Sequence, residues 1–180
     1  MPIKFIISLI SILLFSCEQN HPINSENTNG VVRLDTAGNV EAEKNLKTQL
    51  KEYLAAINGG NPDKALYYIY PPVFEYLKLQ YPEGKINMQE IKDSIFVEPI
   101  RQMKISLKEK NIQYEFEIDT IKKRVEYKSN KIYVLIIYIN AKWGLRKYST
   151  GEEIIGITKD NGVNWKFFSI DQETVSGILG

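Results

Sequence analysis

The chain has 180 residues, of which 43% are hydrophobic and 25% charged, an ordinary composition for one globular domain with a real core and short extensions. Its 23 basic and 22 acidic residues leave a formal net charge of +1, so global charge does not point to nucleic acid or an acidic surface as a partner. With one cysteine and one histidine, Cys17 and His21, there is no internal disulfide. Nor does the remainder of the chain hold the ligands of a zinc site or a Ser–His or Cys–His nucleophile pair.

Lys4 and the apolar run of 11 residues from Phe5 to Phe15 open the chain. The run is too short to span a bilayer comfortably and has the charge and length of a signal-peptide core. It ends on Leu14-Phe15-Ser16-Cys17. A small residue followed by cysteine at that place resembles the lipobox of bacterial lipoproteins, with Phe15 standing where a smaller residue is usual. The resemblance implies cleavage after residue 16, a lipid such as palmitate on Cys17, and anchorage in the cell envelope. An aspartate after the cysteine would resemble an inner-membrane retention signal. Glu18 stands there instead, so the expected location is the outer membrane. The alternative is a simple secretory signal or an uncleaved anchor.

Residues 17–38 are rich in Asn, Ser, Thr and Gly without an apolar period and read as a flexible tether to a single domain over 39–180. His21 falls in the tether and reads as a solvated residue. Val31, Val32 and Leu34 read as a short strand or a packing cap.

The domain is organised around Glu43 to Tyr81. Leu46, Leu50, Leu54 and Ile57 recur at helical spacing with Tyr53 beside them, an amphipathic helix with one buried stripe. Glu43 stands four residues before Lys47, the orientation that favours an ion pair along a helix. Gly59-Gly60 ends the helix. Asn61-Pro62-Asp63 restarts one at once, with Asn as cap, Pro at the first position and Asp at the positive end of the dipole. Tyr70-Pro71-Pro72 breaks it. Phe74 and Leu77 predict a third short helix, closed by Tyr81-Pro82. After a turn at Glu83-Gly84-Lys85, Asn87 with Glu90 predicts a capping box. An apolar face then runs from Met88 to Leu107, kinked or divided at Pro99.

From Ile112 the apolar period becomes two. Ile112, Tyr114, Phe116 and Ile118 alternate with Gln113, Glu115, Glu117 and Asp119, a strand with one wet face. The register shifts to Ile121, Val125 and Tyr127, predicting a bulge near Asp119-Thr120. Lys128-Ser129-Asn130 is a turn. Ile132 to Trp143 is apolar on nearly every residue and reads as a central strand with cover on both faces. Gly144 reads as a bend and Ser149-Thr150-Gly151 as the next turn. Strands follow at Ile154–Thr158 and Val163–Ile170 around an Asp160-Asn161-Gly162 hairpin signal, and Thr174–Leu179 reads as a last helical turn.

Helices followed by long antiparallel strands give an α+β class, with N-terminal helices packed on a strongly curved antiparallel sheet. The order resembles the nuclear-transport-factor-2-like fold. The likeness rests on Tyr53 to Asn61 followed by Ala65, as the opening helix–break–helix, and on Trp165-Lys166-Phe167-Phe168 as the final strand. It spans residues 40–171 and implies a cone that hosts isomerases, cyclases, dehydratases and many non-enzymes, so membership assigns no activity. Thr158 to Trp165 resembles an Asp-box, the hairpin of sialidase propellers. One copy does not make a propeller, so Asp160 reads as a turn former and Trp165 as core.

No glycine-rich phosphate loop is present, and no metal or cofactor is implied. Carboxylate and tyrosine chemistry remains. Among the 11 tyrosines, Tyr67, Tyr68, Tyr70 and Tyr76 cluster at the proline step, and some must face outward. Tyr68, Tyr70, Glu75, Tyr76, Tyr138 and Trp143 are the candidate pocket or docking residues, with Asp63 and Glu98 as further carboxylates. Such an aromatic rim suits a small molecule or an envelope protein. The expectation is a non-enzymatic binding domain. The alternatives are a small isomerase- or cyclase-like enzyme using a carboxylate and tyrosines in the cone, and a purely structural interaction module.

Overall fold

The apolar stripe of the first helix sets the architecture. In the computed structural model, which describes residues 36–80, 87–127 and 130–169, helix α1 runs Thr36–Asn58. It begins in the last residues of the stretch read as a tether. Leu46, Leu50 and Leu54 are buried against Tyr133, Leu135, Ile137, Ile154, Trp165 and Phe167 of the sheet, each buried leucine contributing about 1.5–3 kcal/mol. Cys17, His21, the Val31–Leu34 segment, the Glu83–Lys85 turn and the expected last helical turn lie outside the described residues.

The helix ends as its glycines predict. Gly60 takes φ +63, its N–H donates to the Ile57 carbonyl, and the Asn61 N–H donates to Ala56. These are the two bonds of a Schellman cap. Asn61 then caps α2 (Pro62–Tyr68), its side chain accepting the Lys64 N–H at 3.1 Å. Helix α3 (Pro72–Leu79) follows the proline step. The reciprocal bonds of Asn87 and Glu90 start α4 (Met88–Lys92). A π-helical turn, Asp93–Val97, joins α4 to α5 (Glu98–Glu109). Pro99 explains the joint. It has no N–H for a helical bond, so the chain widens by one residue just before it, where the Glu98 N–H donates to Asp93, and continues without a sharp break.

Four antiparallel strands in sequence order form one open sheet: β1 Ile112–Tyr127, β2 Asn130–Trp143, β3 Arg146–Thr158 and β4 Lys166–Ser169. The bulge expected in β1 lies between Ile118 and Ile121, which pair with Ile137 and Leu135, and a second irregularity follows before Lys123. One extra residue keeps Ile118 and Ile121 on the same face, both packed on the α1 core.

The middle turn sits elsewhere than the glycines of the sequence suggest. The chain reverses at Gly144-Leu145, with Trp143 paired to Arg146, and β3 runs straight through Ser149-Thr150-Gly151. Gly144 adopts φ +58 and makes the turn rather than a bend. Gly151 pairs with Tyr138 across the ladder. A Cβ there would stand 3.3 Å from the tyrosine ring, so the ring covers the gap a strand glycine leaves.

Both faces of the sheet carry helices near β4. Tyr133, Leu135, Ile137, Ile154 and Phe167 meet α1, while Ile139 and Tyr114 meet α5 and the end of α1. On the opposite face Ile155, Ile157 and Phe168 meet Ile69, Val73, Phe74, Leu77 and Ile91. The chain changes face at the sheet edge. Ile69 bridges Phe167 in parallel, and the Tyr70 N–H donates to the Phe167 carbonyl at 3.0 Å. Glu43 does not complete a pair with Lys47. It accepts from Arg124 Nε at 3.0 Å and Nη2 at 2.6 Å, because a guanidinium fork offers two donors where an ammonium offers a point charge.

Two glycines separate backbone strain from packing. Gly162 has φ +94, and a Cβ there would lie 2.3 Å from Ala42 Cβ and 2.8 Å from its Cα. Gly144 has φ +58 with open space around it. Gly162→Ala is expected to destabilise by about 2–4 kcal/mol and Gly144→Ala by about 1–2 kcal/mol, read from urea unfolding midpoints. Equal losses would mean that the contact with α1 adds nothing.

Candidate functional site

The structure disperses the candidate residues. Tyr68 is buried at the end of α2 beside exposed Tyr67, their rings edge to face at 5.1 Å. Tyr70 lies past the β4 edge, stacked on Phe168 at 5.7 Å, with the Lys159 ammonium 5.9 Å from its ring. Glu75 is exposed and Tyr76 half-buried on α3, while Asp63 and Glu98 are exposed in the first turns of α2 and α5. Tyr138 stands partly exposed on the sheet over Gly151, and Trp143 is exposed at the end of β2. Tyr67 and Tyr68 come together; Tyr138 and Trp143 join neither them nor α3.

A polar–aromatic cluster forms where α1, α2 and β4 meet. The Tyr68 hydroxyl donates to Glu52 Oε2 at 2.6 Å, and Lys64 Nζ lies 3.4 Å from the same oxygen. Tyr53 stacks on Phe167 at 5.6 Å and meets Tyr68 edge-on at 6.3 Å. The Lys166 ammonium sits 3.7 Å from the centre of the Tyr67 ring and donates to the Tyr67 carbonyl, a cation–π arrangement that holds Tyr67 outward. The Tyr68 hydroxyl and then Lys64 hold the Glu52 carboxyl below its ordinary value. Burial, and then Glu52 itself, pushes the Tyr68 hydroxyl up to about 12. The proton therefore stays on Tyr68 and the charge on Glu52 across neutral pH. A carboxylate held below its ordinary value and already bonded to the Tyr68 hydroxyl is a poor general base.

A second carboxylate has the opposite character. Glu152 is half-buried in β3 opposite Ile137, on the face shared with Ile154. Burial raises its carboxyl pKa. Burial first, and then the Glu152 charge, raises the Tyr114 hydroxyl. The sequence hides Glu152 because Ser149-Thr150-Gly151 reads as a turn. The usable signal is alternation: once β3 continues through Gly151, Glu152, Ile154 and Gly156 share a face.

Asp160 is a turn former and Trp165 is core. Asp160 Oδ1 accepts from Thr158 Oγ1 at 2.6 Å and the Asn164 N–H at 2.9 Å, and Oδ2 accepts from Asn164 Nδ2 at 2.7 Å. Burial pushes this carboxyl up, but the bonds from Asn164, Thr158 and Val163 outweigh it and bring it to about 2. Among the described residues, no group of three or more His, Cys, Asp or Glu side chains could hold a metal ion.

No protein-family model matches the chain, and no curated protein is significantly similar to it.

The Glu52–Tyr68 bond has a pH signature. A lowered carboxyl pKa contributes stability that is present above the ordinary value of 4.5 and is lost as pH falls through the folded value. Tyr68→Phe is therefore expected to unfold at lower urea than the native chain at pH 7, with the gap closing as pH falls below the ordinary 4.5 and through the folded value. Superimposed midpoints at pH 7 would remove the bond from the account.

Proposed function

We propose that this chain is a lipid-anchored protein of the bacterial cell envelope, attached through Cys17 and held in the outer membrane, whose domain binds a small ligand or a protein partner without catalysing a reaction. The observation that carries the anchorage is the run Phe5–Phe15 ending on Leu14-Phe15-Ser16-Cys17, with the chain's only cysteine at the lipobox position. A nuclear-transport-factor-2-like cone is the finer reading of the α+β fold. It is supported by helices that precede a bulged antiparallel sheet and by the Schellman break at Gly59-Gly60. Binding is favoured over chemistry because the histidine and the cysteine both lie before α1 and because near neutral pH Glu52 stays ionised while Tyr68 keeps its proton.

Anchorage is tested by metabolic labelling with a clickable palmitate in a bacterial host. The native chain should take up label and partition with the envelope, and Cys17→Ser should lose both. Label retained in Cys17→Ser would overturn the assignment.

Glu152 favours a second reading, an isomerase- or cyclase-like enzyme in which this carboxylate and Tyr114 handle a proton. A carboxyl with a raised pKa near a tyrosine is the arrangement such chemistry uses. For a carboxyl the raised value means that the ionised form costs stability. The cost is absent below the ordinary 4.5 and grows as pH rises through the folded value. Glu152→Gln should therefore raise the urea midpoint at pH 7 and leave it unchanged in acid. A variant no more stable than the native chain at pH 7 would remove the basis of this reading.

A further inference from the structure

The β2–β3 hairpin ends in a tip whose chemistry the core does not use. β2 closes on Lys142-Trp143, Gly144-Leu145 make the turn, and β3 opens on Arg146-Lys147-Tyr148. Leu145 is 102% exposed, Trp143 53% and Tyr148 41%. The register sets Trp143 opposite Arg146 and Ala141 opposite Tyr148 on one face, with Lys142 directly opposite Lys147 on the other. Like charges facing each other across a ladder weaken the pair. Among the described residues no carboxylate forms an ion pair with Lys142, Arg146 or Lys147. Lys108 and Lys110, with exposed Glu109 between them at the end of α5, lie at the same end of the molecule, because β1 begins at Ile112 and Ile112 pairs with Trp143, and the cations there outnumber the one carboxylate. The near-zero net charge of the chain thus conceals a local cationic end with exposed apolar side chains at its apex.

We propose that this tip docks the domain onto a bilayer surface carrying anionic headgroups, with Leu145 and Trp143 entering the boundary between headgroups and acyl chains. Each residue type fits its depth: leucine favours the hydrocarbon, tryptophan and tyrosine favour the interface, and Lys and Arg reach lipid phosphates. Anionic lipid also relieves the Lys142–Lys147 repulsion, which an apolar protein groove would leave uncompensated. A narrow convex turn offers a protein partner little flat surface, whereas headgroups close around it. The tip lies at the far end of the 14-residue β2 from Asn130, about 45 Å away at strand rise. Asn39 of α1 accepts from Lys131 at that other end. The contact is therefore separate from attachment through the N-terminal segment and stands whether or not Cys17 carries lipid.

The test uses the full chain, native and Cys17→Ser, with vesicles of phosphatidylcholine alone or mixed with phosphatidylglycerol. Trp143 is a local reporter, because the other tryptophan, Trp165, is fully buried. Trp143→Phe identifies its share of the emission. On the anionic vesicles, Trp143 emission should shift to the blue and be quenched by lipids brominated near the headgroup, in both chains, and the effect should fade in high salt. Lys142→Gln and Lys147→Gln should each raise the phosphatidylglycerol needed for half-maximal quenching about five-fold. These exposed substitutions remove a repulsive pair, so they do not threaten folding. Equal quenching on both kinds of vesicle would overturn the anionic preference. Emission unchanged on both, with Trp143 shielded only when envelope proteins are added, would assign the tip to a protein partner and overturn the proposal.

Discussion

The fold depends on how α1 grips the β3–β4 turn. Asn45 Nδ2 donates to the Gly162 carbonyl at 3.1 Å, Gln49 Nε2 donates to Val163 at 2.7 Å, and Gln49 Oε1 accepts the Trp165 N–H at 2.9 Å. Ala42 lies against Gly162, where no side chain fits. Trp165 is fully buried beneath the helix and donates its indole N–H to Gly162 at 3.1 Å. Two amides of the helix thus satisfy backbone groups that a tight turn leaves unpaired. With the turn held, β4 sits at the sheet edge, and that edge gives Ile69 and Tyr70 the partner they need to carry the chain to the other face.

Tyr53 shows how closely the layers are coupled. It packs against all three core clusters, and burial pushes its hydroxyl up to about 12. A side chain in that position transmits the placement of α1 to α2, α5 and the β4 edge. The Glu52–Tyr68 pair lies one residue away along the helix, at the border between this packed interior and water. There a hydrogen bond keeps the proton on Tyr68 and the charge on Glu52, which leaves this carboxylate a weak base.

The sheet itself is polarised along its length. Near the β1–β2 turn it is tied to α1 through Arg124–Glu43 and Lys131–Asn39. At the opposite end the hairpin leaves the helical cover and its side chains face solvent. Between them, Tyr138 lies over Gly151 and completes a surface that a glycine would otherwise leave open. The end held by α1 is organised by pairing; at the other end Lys142, Arg146 and Lys147 form no ion pair among the described residues and stand beside exposed Trp143 and Tyr148.

Features that depend on a few neighbouring residues were legible in the sequence. The Gly60 cap, the Asn61 and Asn87 N-caps, the stripe of Leu46, Leu50 and Leu54, the bulge after Ile118 and the Asp160 turn follow from local sterics and hydrogen bonding or from periodicity, and the structure has each of them. So did the α+β order of helices and then antiparallel strands. Features that depend on what lies across the ladder or across the core were not legible. Gly151 looked like a turn because the Tyr138 ring that covers it lies 13 residues earlier on another strand. Glu52 had no evident partner because Tyr68 reaches it only after the chain has folded back through Gly60. Glu43 turned from Lys47 to Arg124 because β1 brings a guanidinium to its side. The sequence by itself determined the helix caps, the buried stripe and the bulge, through short-range geometry. Only the tertiary structure decided which side chains meet and which are left at the free end, because pairing register and packing bring distant residues within reach.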